Sequence, residues 1–501
     1  MRQPVTTIVV PTVGRPSLLT LLDALARGSV RVAAPVLVVD DRPGDAGEDL
    51  AAELSGTGLD EVRVLRSGGR GPAAARNLGW RHARTPWVSF LDDDVVPEPD
   101  WYAVLLADLA KAGGDVAGSQ GRVRVPLPAD RRPTDWERST AGLQDAQWIT
   151  ADLSYRRSAL AAVGGFDERF PRAFREDADL GLRIVGSQGR ILRGERWISH
   201  PVRPSDDWAS LRQQAGNADD FLMARVHGPD WRERASAPVG RRRRHVITAL
   251  AGASALLSAL FGRQRTGMLL GFGWLAGTTE LAWARLAPGP RDRSEVRRMV
   301  VTSVAIPFAA TWHSARGAWQ HRAAAPWQGA PELVLFDRDG TLVHDVPYNG
   351  DPSLVEPVAG AREALDRLRA AGLRVGVVTN QSGVASGSIT LEQLAAVNRR
   401  VEDLLGPFDT WQYCPHGRDD GCGCRKPAPG LVKQACAALD VQPARCVVIG
   451  DIGSDVAAAE AAGARSILVP NAGTRREEVA AAAHVQPDLG SAVTALLEGR
   501  W

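Results

Sequence analysis

The sequence predicts an α/β protein with two doubly wound, largely parallel-sheet domains joined by an apolar helical segment. Short β-branched runs alternate with Ala-, Leu- and Arg-rich helical stretches from residue 4 to about residue 200, and the same alternation starts again near residue 333. Uncharged stretches lie between the two series. A chain of 501 residues also exceeds what one hydrophobic core usually supports.

The strand-like runs place the domains along the chain. The N-terminal series contains Thr7–Val10, Val36–Val39 and Trp87–Leu91, and the C-terminal series contains Leu333–Phe336, Val375–Val378, Val447–Ile449 and Ser466–Val469. Short apolar runs of this kind are typical of strands that are buried on both faces of a parallel sheet. We therefore predict domains at residues 1–232 and 329–501, with the apolar segment and its linker at 233–328.

Composition limits the function classes. Lys and Arg number 60 against 58 Asp and Glu, so the net charge of +2 gives no sign of a nucleic-acid partner. Five cysteines are too few for a disulfide framework, and three of them lie within Cys414–Cys424, which favours a metal site in a reducing compartment. The first ten residues lack the pattern of a signal peptide. We therefore expect both outer domains to be cytoplasmic.

Three uncharged stretches occupy the middle of the chain, at Val246–Gly262, Thr266–Thr279 and Met299–Trp312. Only the first approaches the ~20 residues that span a bilayer. One interpretation is a set of helices buried against the first domain. The other, which we favour, is a membrane-seated hairpin whose flanking arginines, Arg241–Arg244 among them, stay on the cytoplasmic face. Residues 241–315 would then contact the membrane surface.

The C-terminal series carries the clearest chemistry. Its first strand ends directly in Asp337 and Asp339, and two carboxylates at a strand end can hold a divalent cation while one attacks phosphorus. Further along the chain come a hydroxyl and an amide suited to phosphate oxygens, a compact cation and another acid for the metal: Thr379, Asn380, Lys426 and Asp451. This order predicts a phosphate-ester site with Mg²⁺.

A second metal signal lies between these residues. Cys414 and His416 are followed closely by Cys422 and Cys424, which gives three thiolates and one imidazole, a ligand set that suits tetrahedral Zn²⁺. This zinc has a structural role in our interpretation, because the loop leads directly into Arg425 and Lys426. Cys436 and Cys446 are interpreted as ordinary buried residues.

These motifs resemble the haloacid dehalogenase superfamily of phosphatases over about residues 332–496. The resemblance implies that Asp337 is the nucleophile and Asp339 the general acid/base, with Thr379 and Lys426 holding the phosphoryl group. It also implies that Asp451 completes the Mg²⁺ site with Asp337 and the backbone carbonyl of Asp339. For Asp455 two roles stay open, support of the metal or an acid at a helix N-terminus.

The zinc loop narrows the resemblance. Asp337–Thr341, Thr379–Gly383 and Cys424–Pro427 together look like the D-glycero-D-manno-heptose 1,7-bisphosphate 7-phosphatases, and histidinol-phosphate phosphatases are close relatives with a similar loop. In the heptose enzymes the arginine at the position of Arg425 helps to hold the substrate. The expected substrate is a small sugar phosphate, and no bulky cap domain is expected because no large insertion separates the first two motifs.

The N-terminal series has its own acids at strand ends. Thr12 follows the first strand, Asp40 and Asp41 follow the second, and Asp92–Asp94 follow a later one. Acids in these places can serve a nucleoside and a metal-bound diphosphate, although Asp40 and Asp41 alone would be ordinary turn caps.

The whole N-terminal series resembles inverting glycosyltransferase family 2, a GT-A fold, over about residues 4–230. The resemblance implies a nucleotide-sugar donor site at Thr12, Asp40, Asp41, Asp92 and Asp94. In it Asp92 and Asp94 form the Asp-x-Asp motif that ligates Mn²⁺ or Mg²⁺, with Asp94 as the metal residue. It also implies that Asp177 is the base that deprotonates the acceptor, with Glu176 as its competitor. His200 is interpreted as structural.

Two functions follow for the whole chain. The first is a bifunctional enzyme that removes a phosphate from a sugar phosphate and transfers a sugar to a cell-envelope glycan or lipid. The second is a phosphatase for histidinol phosphate or another small phosphoester, with an N-terminal domain that only binds nucleotide sugar or membrane. A polynucleotide 3′-phosphatase is disfavoured by the zinc loop and by the lack of a basic stripe.

Overall fold

The computed structural model describes residues 4–44, 48–187 and 189–497. The chain forms two compact units, which adjoin in the sequence between Trp327 and Gln328; the short stretch Ala161–Gly165 is grouped with the second unit. The outer ends predicted for the two domains, at residues 1 and 501, lie outside the described residues.

The first unit is built on a mixed, mostly parallel sheet. Its strands are β1 (Thr6–Thr12), β2 (Val36–Asp40), β3 (Val62–Arg66), β4 (Trp87–Leu91), β5 (Val96–Pro97), β6 (Val116–Arg124), β7 (Asp152–Arg156) and β8 (Arg190–Ser199). Within the described residues the strand order is β3-β2-β1-β4-β7-β6-β8-β5. Strands β1 to β4 are parallel, whereas β7 is antiparallel to both β4 and β6. The parallel half therefore brings the ends of β1, β2 and β4 to one edge of the sheet.

Helices cover this sheet and bury its apolar strands. They are α1 (Ser17–Ala26), α2 (Glu48–Glu53), α3 (Pro72–His82), α4 (Trp101–Ala110), α5 (Asp135–Ala141), α6 (Arg157–Val163), α7 (Glu176–Gly186), α8 (Ala209–Arg212), α9 (Asp219–His227) and α10 (Trp231–Arg234). The strand β1 is buried along most of its length, and Ile8 and Val10 share a core with α1 and α4. At Gly79 of α3 an added Cβ would lie 2.3 Å from a methyl of Val9, so the missing side chain lets this helix pack closely on the sheet.

Three long helices complete the first unit. They are α11 (Arg242–Leu260), α12 (Gln264–Leu286) and α13 (Arg293–Gln320). The first two form an antiparallel hairpin, because Gly267 approaches Ala259 and Gly277 approaches Thr248. None of the described helices is long and apolar enough to cross a membrane.

The three helices differ in burial. Along α13 one face is buried, including Met299, Ile306 and Ala310, and Gly317 lies directly against the backbone of Ala218. In α11 and α12, by contrast, few residues are buried: Thr248, Ala249, Gly267, Thr278 and Leu281. The interpretation of the whole segment as buried connecting helices is therefore wrong for α11 and α12, because most of their large apolar side chains are exposed.

The second unit is a parallel sheet with helices on both faces. Its strands are β9 (Leu333–Phe336), β10 (Arg374–Asn380), β11 (Thr410–Cys414), β12 (Cys446–Gly450) and β13 (Arg465–Leu468), in the order β11-β10-β9-β12-β13. Its helices are α14 (Ala361–Ala370), α15 (Leu391–Leu405), α16 (Gly430–Ala438), α17 (Gly453–Ala462), α18 (Arg476–Ala481) and α19 (Leu489–Leu497). Val334 and Phe336 enter one core and Leu333 and Leu335 the other, as a strand buried on both faces requires. The predicted fold class is confirmed.

Candidate active sites

The ends of three parallel strands form the C-terminal site. In the strand register Phe336 lies opposite both Val377 and Ile449, so β9, β10 and β12 end at the same edge of the sheet. The next residues are Asp337 after β9 and Asp451 after β12. In open α/β sheets this edge is where ligands bind.

Lys426 ties the nucleophile candidate to a second acid. Its Nζ donates to Asp337 Oδ1 at 2.5 Å, to Asp455 Oδ1 at 2.6 Å and to the carbonyl oxygen of Val378 at 2.9 Å. Lys426, Asp337 and Asp455 are all buried. All three donor positions of the ammonium are therefore used, and the lysine is held at one point between the two carboxylates.

The charges in this cluster do not balance. Burial raises the pKa of Asp337 well above its ordinary value, and Lys426 opposes the shift. Neighbouring carboxylates raise it further: those of Asp455, Asp339 and Asp451. Burial alone would lower the pKa of Lys426, but Asp337 and Asp455 raise it. Carboxylate oxygens of Asp337, Asp451 and Asp455 lie within 4.8 Å of one another, so the cluster offers a divalent cation both the ligands and the excess negative charge.

Asp451 is held in place by neutral donors. Thr341 Oγ1 donates to its Oδ1 at 3.0 Å, and Asn471 Nδ2 donates to its Oδ2 at 2.8 Å. Gly340 precedes Thr341 and has a φ of 83°, and a Cβ at this position would lie 2.6 Å from Asp451 Oδ2. Only glycine therefore lets the loop after β9 pass so close to the carboxylate.

Asp339 has a different environment. The guanidinium of Arg338 donates to both its oxygens at 2.9 Å and also to Asn398 Oδ1 at 2.7 Å, while Gln381 Nε2 donates to Asp339 Oδ2 at 2.7 Å. The same Gln381 nitrogen donates to Thr379 Oγ1 at 2.9 Å. Arg338 is buried, whereas Asp339 is half-buried. The carboxylate of Asp339 is thus held by Arg338 and Gln381 and stays partly exposed to solvent.

Asn380 fixes the backbone of Lys426. Its Nδ2 donates to the carbonyl oxygen of Lys426 at 3.1 Å, and the backbone N–H of Lys426 donates to its Oδ1 at 3.0 Å. Both polar atoms of the amide are therefore engaged with protein. Arg425 joins Asp337, Asp339, Thr379 and other residues in lining a cavity of about 790 Å³.

The four predicted zinc ligands lie together. Cys414 Sγ is 3.3 Å from Cys424 Sγ, 3.6 Å from Cys422 Sγ and 3.5 Å from His416 Nδ1, and Cys424 Sγ is 3.3 Å from the same nitrogen. Cys414 ends β11, and Gly430 at the start of α16 lets the loop approach, because a Cβ there would lie 2.4 Å from the carbonyl oxygen of Gly423. Three sulfurs and one imidazole nitrogen around one point fit a tetrahedral metal.

The N-terminal acids are spread among separate ion pairs. Thr12 Oγ1 donates to Asp93 Oδ2 at 2.7 Å, and Arg15 donates to Asp93 Oδ1 at 2.6 Å. Arg203 binds Asp94 Oδ2, while the buried Oδ1 of Asp94 has no hydrogen-bond partner and lies 3.7 Å from His200 Nε2. Among the described acids, this oxygen and Oε2 of Glu176 are buried acceptors without a hydrogen-bond partner, and either could bind a cation.

Arg76 links the two halves of this site. From α3 it donates to Asp92 Oδ1 and to Glu176 Oε1, both at 2.8 Å, and it is buried together with Glu176. The pKa of Glu176 is raised to about 8, chiefly by burial. The nearby Asp177 also raises this pKa, whereas Arg76 lowers it. Asp177 is half-buried and accepts from the backbone N–H of Ala178 at 2.7 Å.

Asp40 and Asp41 follow one another at the end of β2 but have different partners. Arg42 donates to both oxygens of Asp40, at 2.9 and 2.8 Å in its closest contacts. Asp41 Oδ1 accepts from Ser67 Oγ at 2.7 Å and its Oδ2 from the backbone N–H of Gly71 at 2.9 Å. Asp41, with Thr12 and the three acids of 92–94, lines a cavity of about 220 Å³.

Family profiles match both parts of the chain. The profile described as Glycosyl transferase family 2 matches residues 7–162. The profile described as Haloacid dehalogenase-like hydrolase matches residues 334–403, and a HAD-hydrolase-like profile matches residues 423–494.

Curated relatives match the C-terminal domain over most of their own length. The D-glycero-beta-D-manno-heptose-1,7-bisphosphate 7-phosphatase of Pseudomonas putida is 36% identical over 143 residues, 28% of this chain and 82% of the relative. The enzyme of the same name from Pseudomonas aeruginosa is 38% identical over 142 residues, 27% of this chain and 80% of the relative. The chain belongs to the haloacid dehalogenase-like hydrolases. Its N-terminal part is a family 2 glycosyltransferase domain, so the protein is a phosphatase fused to a glycosyltransferase.

Two solved structures are similar to portions of this chain. The D,D-heptose 1,7-bisphosphate phosphatase from B. bronchiseptica, complexed with magnesium and phosphate, is 32% identical and covers 33% of this chain and 98% of its own, with a TM-score of 0.31. A mannosyltransferase from Pyrobaculum calidifontis in complex with GDP-mannose and Mn²⁺ is 18% identical and covers 64% of this chain and 88% of its own, with a TM-score of 0.40.

In this hydrolase domain the structure brings the sequence-predicted residues to one cavity: Asp337, Asp339, Thr379, Asn380, Arg425, Lys426 and Asp451. Sequence reasoning missed the residues that hold them, above all Arg338, Gln381 and Asn471. Arg338 lies within the motif Asp337–Thr341 and Gln381 within Thr379–Gly383, so their positions could have indicated a role in the site. Asn471 lies 20 residues after Asp451 with no motif around it.

In the glycosyltransferase domain Thr12, Asp41, Asp92 and Asp94 line one cavity, whereas Asp40 and Asp177 are not among its lining residues. Sequence reasoning missed the arginines that pair with these acids. Arg76 lies in α3, in which no site residue was predicted from the sequence. Arg42 directly follows the predicted pair Asp40 and Asp41, whereas Arg15 and Arg203 are not adjacent to any predicted site residue.

Proposed function

We propose that the C-terminal domain hydrolyses a small sugar phosphate through a phosphorylated aspartate. The observation that carries this proposal is the Asp337–Lys426–Asp455 contact at the strand edge beside Asp451. A lysine shared between a nucleophile and a supporting acid gives phosphate oxygens a fixed positive partner. The half-buried Asp339, two residues after Asp337, supplies an acid on the same side.

In the first step an oxygen of Asp337 attacks phosphorus, and the bond from phosphorus to the ester oxygen breaks. Asp339 donates its proton to the departing oxygen. In the second step Asp339 takes a proton from water, the water oxygen attacks phosphorus, and phosphate leaves with Asp337 restored. Thr379, Lys426 and Arg425 hold the phosphoryl and substrate groups.

The proposed metals follow from the donor sets. Asp337, Asp451 and the backbone carbonyl of Asp339 would hold Mg²⁺, whose charge stabilises the negative charge that develops on the phosphoryl oxygens. Cys414, His416, Cys422 and Cys424 would hold a structural Zn²⁺ that orders the path to Arg425 and Lys426. The unpartnered oxygen of Asp94 supports Mn²⁺ or Mg²⁺ in the transferase domain.

For the phosphatase substrate we propose D-glycero-D-manno-heptose 1,7-bisphosphate, with loss of the 7-phosphate. The two curated relatives are named as phosphatases of this heptose bisphosphate, and the match covers about four fifths of the length of each. The cavity of about 790 Å³ leaves room for a sugar and two phosphates beside Arg425. Histidinol phosphate is the alternative substrate, since the zinc loop is similar in that class.

We also propose that the N-terminal domain transfers a sugar from a nucleotide sugar to a glycan or lipid of the cell envelope. Asp177 would take the proton of the acceptor hydroxyl, whose oxygen attacks the anomeric carbon while the bond to the nucleoside diphosphate breaks. Glu176 is the weaker candidate base because its carboxylate is buried against Arg76. The use of a nucleotide-sugar donor favours a cytoplasmic location for the protein. If residues 241–315 contact lipid, that location is the cytoplasmic face of the membrane. The functional segments would be 1–232, 233–328 and 329–501.

The test is a pair of assays on the full-length protein. Phosphate release is measured with heptose 1,7-bisphosphate, histidinol phosphate and other small phosphoesters, with Asp337→Asn as the inactive control. Sugar transfer and nucleotide-sugar hydrolysis are measured with Asp177→Asn as the control. Preference for histidinol phosphate would overturn the heptose assignment. A transferase domain that binds nucleotide sugar without turnover would overturn the bifunctional reading.

A further inference from the structure

The hairpin of α11 and α12 exposes a large apolar surface. At its closed end Leu256, Leu260, Phe261, Leu269 and Phe272 are 63, 72, 78, 73 and 70% exposed. We call these five side chains the hairpin tip. Scattered exposed leucines are ordinary, but several large exposed apolar side chains at the adjoining ends of two helices indicate an interaction site.

Small residues between the two helices explain why the large ones face outward. An added Cβ at Gly277 would lie 2.3 Å from Thr248 Oγ1, and one at Gly252 would lie 2.7 Å from Trp274. The helices therefore approach too closely for leucine or phenylalanine between them. Their large side chains are left on the outer faces.

Charge indicates what covers this surface. Residues 241–290 contain seven arginines, at 241–244, 263, 265 and 285, and a single acid, Glu280. Arg241 and Arg244 bind Glu280 at the base of the hairpin, whereas Arg263 and Arg265 are exposed at the tip. An apolar surface bordered by arginines is complementary to anionic lipid headgroups over acyl chains.

We propose that the hairpin tip docks into the surface of an anionic lipid bilayer without crossing it. A second copy of the chain fits this surface less well, because a two-fold contact pairs a patch with itself and would bring the tip arginines of both copies together without acids. Crossing is not part of the proposal, since no described helix is long and apolar enough for it. Arg263 and Arg265 would extend their apolar stems along the interface and keep their charged ends among the headgroups.

The hairpin is fixed to the transferase domain, so docking would orient that domain. Arg285 of α12 donates to Asp135 and to Ser210, both at 2.8 Å. Glu295 of α13 is buried and accepts from the backbone N–H of Asp135 at 2.9 Å. The purpose of this orientation, which is to present the site to an acceptor at the membrane, rests on the proposed transferase activity. The docking itself does not.

The experiment is sedimentation of the full-length protein with vesicles of phosphatidylcholine alone or mixed with phosphatidylglycerol, without any substrate. We expect binding to the anionic vesicles that survives a high-salt wash. The double variant Phe261→Asp/Phe272→Asp should lose about tenfold or more in the vesicle partition coefficient, because two apolar anchors become charged. The matched control is Leu391→Asp, an exposed leucine of α15, which should bind like the unmodified protein.

Arg263→Gln/Arg265→Gln should weaken binding to anionic vesicles and leave the weak binding to phosphatidylcholine unchanged. Circular dichroism and phosphate release verify that each variant is folded. Absence of vesicle binding by the unmodified protein would overturn the proposal, as would a dimer that the Phe261→Asp/Phe272→Asp variant dissociates while vesicle binding stays unchanged. Vesicle binding by an unmodified protein that transfers no sugar would count against the proposed transferase function and leave the docking proposal standing.

Discussion

Replacing Asp455 with asparagine separates the two roles that the sequence leaves open for this residue. Asp455 lies in the first turn of α17 and is buried. Its Oδ1 accepts from Lys426 Nζ at 2.6 Å, and its Oδ2 accepts from the backbone N–H of Ile452 at 3.3 Å. An acid that only caps a helix would matter to stability alone. An acid that shares Lys426 with the nucleophile should also matter to the metal.

The expected magnitudes follow from these contacts. Asparagine keeps the shape and the acceptor oxygen but removes the negative charge, so the bond from the charged Lys426 loses the attraction between opposite charges, on the order of 1–2 kcal/mol. Loss of the interaction with the helix N-terminus costs a further ~0.3–1 kcal/mol. We therefore expect the free energy of unfolding of the metal-free protein to fall by about 1–3 kcal/mol. The Mg²⁺ concentration for half-maximal activity should rise ~10–100-fold, as it does when a residue that supports metal ligands is changed.

The assay is phosphate release as a function of Mg²⁺ concentration, together with urea unfolding of the metal-free protein. Glu363→Gln is the matched control, because Glu363 is an exposed acid in the first turn of α14. It should lose a little stability and keep the Mg²⁺ dependence of the unmodified protein. If Asp455→Asn behaves like this control, the residue is a helix-terminal acid and the reasoning fails.

Three further predictions concern the other groups. Asp337→Asn should abolish phosphate release with little change in thermal stability, since an amide of nearly the same volume cannot act as the nucleophile; turnover near that of the unmodified protein would rule the mechanism out. Cys424→Ser should lower the zinc content and the phosphatase rate while sugar transfer continues, as measured by metal analysis and both assays; a fully active, zinc-free protein would contradict it. Burial raises the pKa of Asp177, and a base must be deprotonated to act, so the transferase rate should fall on acidification at a higher pH than an ordinary carboxylate would give. A pH profile of kcat/KM that stays flat down to the ordinary carboxylate range would count against Asp177 as the base.

Local sequence predicted those parts of the site that depend on strand ends. Asp337 and Asp451 each follow a short apolar run, and parallel strands bring their ends to one edge, so their meeting could be expected. The four zinc ligands lie within eleven residues of one another, and such a short loop leaves few ways to keep them apart.

Contacts that join distant loops could not be predicted in this way. Asn471 reaches Asp451 only because the loop after β13 folds back over the sheet edge. Arg76 pairs with Glu176 across 100 positions of sequence, and no periodicity in either helix signals the pair. The sequence alone left two alternatives open for α11 and α12, because an apolar stretch has the same pattern whether it is buried by protein or exposed to another partner.

The position of β11 gives the metal-binding loop a freedom that the rest of the site lacks. This strand is the outermost of its sheet, pairs with β10 alone among the described strands, and ends at Cys414 opposite Asn380. Insertions between Cys414 and Cys424 would therefore leave every strand pair in place, and the loop can change in length or composition as a module. Transplanting this loop between related hydrolases should thus leave Asp337, Asp451 and the strands that they follow in place.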